Sequence, residues 1–164
     1  MDVEQELWRE KQVQIVEKQG MFFVSGDITE SCDLSGTKFP KGAVRFDLGD
    51  VRTINSCGVR EWISWINKLE IHAIYMNCPQ AVVMQFNMVR EFLGSDANVE
   101  SFQVPAFCET CGQQKSFLLT ANKDFHAGAA LVEYDIKKCG DENCNIESDV
   151  DYESYFYFIG ELPK

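Results

Sequence analysis

Positive charge and histidine are both scarce in this 164-residue chain. It carries 15 Lys and Arg against 26 Asp and Glu, a formal net charge of −11, and only two histidines. Duplex nucleic acids are bound by clustered cations that face the phosphates, so this balance argues against a nucleic-acid partner. His72 and His126 leave little choice of general base for a nucleophilic enzyme, and neither is assigned a role.

Long apolar runs are also missing. Residues 1–9 are acidic, and no segment approaches the roughly 20 apolar residues that a membrane-spanning helix needs. We therefore expect no secretory signal, no membrane span and a cytoplasmic protein. In that reducing compartment the seven cysteines are expected to be thiols or metal ligands rather than disulfides.

The clearest pattern in the sequence is a strand, a helix and a second strand in the middle of the chain. Residues 44–47 form a short apolar run, and the apolar positions of residues 59–69 recur at helical spacing. Ile71–Met76 is a second strand candidate. Asn55 and Ser56 suit a helix N-cap, where a short side-chain oxygen accepts an N–H of the first turn. This order is typical of a parallel or mixed sheet.

The same segment carries a family resemblance. Residues 47–60 read Asp-Leu-Gly-Asp-Val-Arg-Thr-Ile-Asn-Ser-Cys-Gly-Val-Arg. This resembles the signature of STAS domains (sulfate transporter and anti-sigma factor antagonist), in which Asp-Leu follows an apolar strand and Asp-Ser-Ser-Gly-Leu opens a helix. Residues 75–82 resemble a later strand-to-helix joint of that family. The resemblance covers about residues 12–104 and implies, for residues 1–105, an α/β domain with a STAS-like mixed β-sheet flanked by helices.

The resemblance implies a function as well as a fold. It implies a non-enzymatic signalling module, similar to an anti-sigma factor antagonist, that docks a regulatory protein: an anti-sigma-type kinase, a stress-signalling complex or a transport ATPase. The docking surface would be the loop of Asn55, Ser56, Cys57, Gly58 and Arg60, together with the exposed sides of two helices. In phosphorylatable members the Ser or Thr before the glycine accepts phosphate. Here Cys57 stands at that position and Asn55 replaces the family's Asp, so we expect the phosphoswitch to be lost or altered.

Other patterns predict the remaining elements. They are a hairpin from residues 12–16 and 21–26, a short helix at 29–34, a helix from Pro79 to Gly94, and strands at 99–104, 116–120, 130–134 and 155–159. Pro105 is expected to close the strand at 99–104.

Four cysteines in two pairs form the strongest chemical signal. Cys108 and Cys111 are separated by two residues, Cys139 and Cys144 by four, and a glycine directly follows Cys111 and Cys139. This pattern predicts a zinc-ribbon-like β subdomain over residues 106–164, with one structural Zn²⁺ per chain. Four thiolate ligands leave no position for a catalytic water. Iron in a rubredoxin-like site is the minor alternative.

A thiol function is the competing interpretation. Either Cys57 at a helix start, or the Cys108/Cys111 pair, could serve a thiol redox sensor or a thiol enzyme. The activating helix of a thioredoxin-like motif is missing after Cys111, because residues 117–119 are strand-like. Nucleic-acid binding by the ribbon is disfavoured by the acidic residues at 141–153.

Overall fold

A mixed five-stranded sheet forms the first layer of the molecule. The computed structural model describes residues 12–129, 132, 134, 136 and 143–164. The strand order is β1-β2-β3-β4-β5, in which β1 is antiparallel to β2 and the other neighbours are parallel. The strands are β1 (Gln14–Lys18), β2 (Met21–Ile28), β3 (Gly42–Ile54), β4 (Ile71–Met76) and β5 (Ala97–Val99). The predicted α/β class and the mixed sheet are thus confirmed.

Two helices and a 3₁₀ segment follow the parallel strands. They are α1 (Ser56–Ile66), α2 (Gln80–Met88) and the 3₁₀ helix Arg90–Leu93. Trp62 of α1 is fully buried, stacks on Phe92 at 5.3 Å between ring centroids, and donates its indole N–H to the Phe92 carbonyl at 3.0 Å. Phe46 of β3 and Tyr75 of β4 lie in the same core. The predicted hairpin, α1 and β4 all form.

The second helix ends earlier than its apolar spacing predicts. The prediction of one helix to Gly94 was wrong, because Val89 adopts an extended backbone (φ −139°, ψ 96°) between α2 and the 3₁₀ helix. The break turns Phe92 and Leu93 into the core, where Phe92 meets Trp62. Tertiary packing therefore overrides the local helical pattern.

A second, three-stranded sheet extends part of the strand predicted at 99–104 and contains the strand predicted at 116–120, which is confirmed as β7. Its order is β7-β6-β8, with β6 (Ser101–Cys108), β7 (Gln114–Thr120) and β8 (Ile146–Ser148), all antiparallel. The prediction of one strand at 99–104, closed by Pro105, was wrong. The chain changes sheets between β5 and β6, and β6 runs on through Pro105.

Pro105 explains where β8 ends. Its carbonyl accepts the Asp149 N–H at 2.8 Å, but a proline has no N–H to return the second bond of an antiparallel pair. The ladder between β6 and β8 therefore stops at Ala106 and Ser148. On its other side Pro105 pairs with Ser116 of β7. The boundary predicted between residues 105 and 106 thus falls inside a strand.

The C-terminal aromatic run is helical. The prediction of a strand at 155–159 was wrong, since α3 (Tyr152–Tyr155) and α4 (Tyr157–Glu161) occupy this segment. Asp151 caps α3 by accepting the Ser154 N–H at 2.9 Å. Tyr155, Phe158, Ile159 and Leu162 are buried at helical spacing, whereas Tyr157 is 62% exposed. Phe158 packs on Phe102 at 5.2 Å and on Phe86 at 5.6 Å between ring centroids, so this segment completes the main core.

Two further predictions differ or fall partly outside the described residues. Residues 29–34 form turns and no helix, which corrects the predicted short helix. Of the strand predicted at 130–134, only Val132 and Tyr134 are described. Val132 is buried and forms an isolated antiparallel bridge with Phe125.

Candidate metal centre and docking loop

Three of the four predicted metal ligands lie together. The sulfur atoms of Cys108, Cys111 and Cys144 are all within 4.8 Å of one another. Cys108 is buried, Cys144 half-buried and Cys111 exposed. Cys139, the fourth predicted ligand, lies outside the described residues. The group of three could hold a metal ion.

The turn between β6 and β7 brings Cys111 back toward Cys108. Cys108 is the last residue of β6, its N–H donates to the Gln113 carbonyl at 2.9 Å, and its carbonyl accepts the Gly112 N–H at 2.8 Å. Gly112 has φ +69°, a conformation that favours glycine. The glycine after Cys111 is therefore needed for the turn that returns the chain.

The loop before β8 is tied to this turn by hydrogen bonds. The Thr110 hydroxyl accepts the Asn145 N–H at 3.2 Å and donates to the Asn143 carbonyl at 3.4 Å. The Glu109 N–H donates to the Asn145 carbonyl at 3.3 Å. These bonds fix the backbone on both sides of Cys144 against the first turn, and so place its sulfur beside the other two.

The donor set and its spacing fit a tetrahedral thiolate site. Zn–S bonds of about 2.3 Å separate the sulfurs of a tetrahedron by about 3.8 Å, which is within the observed limit. Among the described residues the apolar support at this end is small. Ala106, Cys108 and Ile146 form a buried cluster apart from the main core, with Phe117, Ile136 and Cys144 packed against it. Burying one Ile contributes about 1.5–3 kcal/mol, whereas ordering each loop residue costs about 1–2 kcal/mol. A bound ion would offset much of that cost.

The geometry around Cys108 and Cys111 disfavours the thioredoxin-like alternative. Over residues 101–120 the chain runs strand, turn, strand, so neither thiol lies at a helix N-terminus, where thiolates are stabilised.

The predicted docking loop joins β3 to α1. Asn55 is the N-cap of α1, and its side-chain oxygen accepts the Gly58 N–H at 2.8 Å. Its amide nitrogen donates to a Glu30 carboxylate oxygen at 2.7 Å, and this bond lowers the pKa of Glu30. The predicted capping role of Asn55 is confirmed, while Ser56 is the first helical residue. Both side chains are exposed.

Gly58 fixes the helix against the end of β2. A Cβ at this position would lie 1.9 Å from the Ile28 carbonyl oxygen and 2.7 Å from the Thr29 nitrogen. The same Ile28 oxygen accepts the Asn55 N–H at 3.2 Å. The first turn of α1 therefore sits directly on the backbone of the neighbouring strand.

The remaining two loop residues contact each other. Arg60 is exposed, and its guanidinium lies 3.4 Å from the sulfur of the half-buried Cys57. Cys57 thus presents part of its surface at the first turn of α1, beside a cation.

Sequence reasoning missed a polar connection between the two sheets. The Asp47 carboxylate accepts the Gly49 N–H at 2.9 Å and the Asn77 side-chain N–H at 2.7 Å. The Asn77 backbone N–H donates to the Ser101 hydroxyl at 2.8 Å, and Asn77 has φ +53°. Next to it, burial and then the Asp47 charge raise the pKa of the Cys78 thiol well above its ordinary value. The Asp-Leu motif marks Asp47, but no local pattern indicates that Asn77 and Ser101 are its partners.

Comparison with known proteins adds no relative. No family model, curated protein or solved structure matches the chain. Among the described residues, none of the helices has the length and apolar character required to span a bilayer.

Proposed function

We propose that the protein is a non-enzymatic, STAS-like interaction module whose C-terminal end is organised by a structural zinc ion. One observation carries this proposal. Three cysteine sulfurs lie within 4.8 Å of one another, at the end of a strand that also contributes to the main core. Cys139 would supply the fourth thiolate, which makes the site closed and structural rather than catalytic.

Each part of the zinc site has a defined task. Cys108 and Cys111 hold the ion from the turn after β6, and Cys144 holds it from the loop before β8. The ion supplies a cross-link between these two loops, which share the hydrogen bonds of Thr110 and, among the described residues, one small apolar cluster. The ion thereby stabilises the short strand β8 and the segment that joins β8 to α3.

Metal analysis of the purified protein tests the zinc proposal. We expect about one zinc per chain, and loss of the metal in Cys111→Ser, whose exposed side chain has little packing to disturb. Cys57→Ser is the matched control and should keep the metal. Iron in place of zinc would select the rubredoxin-like alternative. A metal-free protein with a fully ordered segment 143–164 would contradict the proposal.

Docking through the loop at Asn55–Arg60 is the second part of the proposal. The resemblance to STAS domains predicts this surface, and its rigid presentation supports it: Asn55 caps the helix and Gly58 is pressed on the β2 backbone. Ser56 and Arg60 project into solvent beside Cys57. The partner would be a regulatory protein of the anti-sigma kinase, stress-complex or transport ATPase type.

A quantitative pull-down tests the loop. Partner proteins recovered with the wild-type chain and identified by mass spectrometry are compared with those recovered by Asn55→Asp, Cys57→Ser and Arg60→Glu. Lys123→Glu, a charge reversal at an exposed turn, is the matched control. We expect Arg60→Glu to lose a partner that Lys123→Glu retains. Equal recovery of every partner by all variants would contradict docking at this loop.

A further inference from the structure

A groove lies between α2 and the segment that leads into α3. It encloses about 330 Å³ and is lined on the α2 side by Gln80, Met84, Asn87 and Met88. Met84 and Met88 are 45% and 65% exposed, one helical turn apart. Flexible, polarisable methionine side chains in such a position adapt to varied apolar partners. The groove thus offers an apolar ridge open to solvent.

The opposite wall is acidic. Residues 149–151 and 154–155 line it, and its charged members are Asp149 and Asp151, both exposed. Among the residues that the structure describes, those that line the groove include no Lys or Arg. Since the whole chain has a net charge of −11, the groove attracts cations and repels anionic surfaces.

The two walls are held at a fixed separation. The Asn87 side chain donates to the Tyr155 carbonyl at 2.8 Å and accepts the Phe158 N–H at 2.8 Å. Asp151 caps α3 through the Ser154 N–H. One asparagine therefore ties α2 to both C-terminal helices. The groove is therefore preformed, and binding of a ligand does not include a free-energy cost of assembling it.

We infer that this groove binds a basic amphipathic helix of a partner protein. One apolar side chain of that helix would insert between Met84 and Met88, and Lys or Arg on the adjacent face would lie along Asp149 and Asp151. The inference rests on the proposed interaction function, and it names the chemistry of the partner at the α2 face. An anionic membrane is disfavoured by the acidic wall. A second copy of this chain is also disfavoured, because two chains that each carry a net charge of −11 repel one another.

A fluorescent peptide tests the inference on the full, metal-loaded chain. The probe is a labelled helical peptide with Leu at i and i+4 spacing and Lys at the flanking positions, and binding is measured by fluorescence polarisation. A second probe carries Glu in place of every Lys. We expect the Lys peptide to bind at least tenfold more tightly, with affinity that falls as salt rises.

Variants locate the binding site. Met84→Ser/Met88→Ser and Asp149→Asn should each weaken binding of the Lys peptide, the double variant by at least tenfold. Tyr157→Ser removes an equally exposed apolar side chain from α4 and should leave binding unchanged. All variants alter exposed side chains, and circular dichroism verifies that they fold.

Several outcomes would overturn the inference. They are equal binding of the Lys and Glu peptides, unchanged affinity in the methionine double variant, and a concentration-dependent dimer that the double variant abolishes. An equal loss on Arg60→Glu would place the peptide at the docking loop and overturn it too. The two proposals can fail separately. If all loop variants recover every partner equally, but peptide binding still depends on Met84 and Met88, loop docking is refuted and the groove assignment stands.

Discussion

Replacement of Gly58 by alanine changes the free energy of unfolding in two opposite ways, through helix propensity and through packing. In an exposed helix the change stabilises by about 1 kcal/mol, because alanine loses less backbone entropy. Here the new methyl group would lie 1.9 Å from the Ile28 carbonyl oxygen and 2.3 Å from its carbonyl carbon. Ordinary contact begins near 3.4 Å, so α1 and β2 must separate by about 1.5 Å. Both clashing partners are backbone atoms, which cannot rotate away.

The expected cost follows from these opposed effects. Overpacking costs about 1–3 kcal/mol, and a backbone clash takes the upper end of that range. After the helical gain is subtracted, Gly58→Ala should lower the free energy of unfolding by about 2 kcal/mol. In a chain of this size that corresponds to a Tm lower by about 4–8 °C.

Urea denaturation of the purified protein, followed by tryptophan fluorescence, measures this difference. Gly160→Ala in α4 is the matched control, since its methyl group would meet no atom within 4 Å. The control should be neutral or stabilised by up to about 1 kcal/mol. If Gly58→Ala unfolds at the same urea concentration as Gly160→Ala or at a higher one, the close approach of α1 to β2 is refuted.

Two further predictions concern the cap and a buried thiol. Asn55→Ala removes the cap and should cost about 1 kcal/mol, and it should also raise the pKa of Glu30 toward its ordinary value, as followed by NMR titration. Because the folded-state pKa of Glu30 is lowered, its contribution to stability is present above the ordinary pKa and is lost as pH falls through the folded value. The wild-type protein should therefore lose more stability than Asn55→Ala over that acidic window, and parallel urea midpoints would contradict the contact. Alkylation of the native protein near pH 8 should modify Cys57 and spare Cys78, because burial raises the pKa of the Cys78 thiol. Mass spectrometry identifies the modified cysteines. Rapid modification of Cys78 in the folded protein would contradict its burial.

The parts of the fold that sequence reasoning predicted are those encoded by nearby residues. The Gln19-Gly20 turn takes positive φ at both positions, as a two-residue hairpin requires, and the cap at Asn55 acts within three residues. The change of sheet between β5 and β6 is different in kind. Nothing in the alternating residues 97–104 indicates which neighbour each will pair with, because that choice depends on β4 and β7.

The aromatic segment shows how composition misleads. Tyr and Phe at 155–158 have the preference of strand residues, and the two residue types alternate along the run. The helical outcome is decided by the Asp151 cap and by burial against Phe102 and Phe86, which are distant in sequence. The candidate site was predicted better, because the two cysteine pairs indicated Cys108, Cys111 and Cys144 together, and only the contacts that assemble them were not indicated. Spacing predicts that Cys108 and Cys111 share a turn, but the approach of Cys144 depends on hydrogen bonds from Thr110.

A shared strand also limits where this molecule can be divided by protein engineering. Ser101, at the start of β6, bonds to the joint after β4, and Cys108 at its end belongs to the sulfur cluster. Strand β6 runs without a break from Ser101 to Cys108 and so links the two ends directly. A chimera that exchanged this end at residue 105 would sever a continuous hydrogen-bonded ladder with β7.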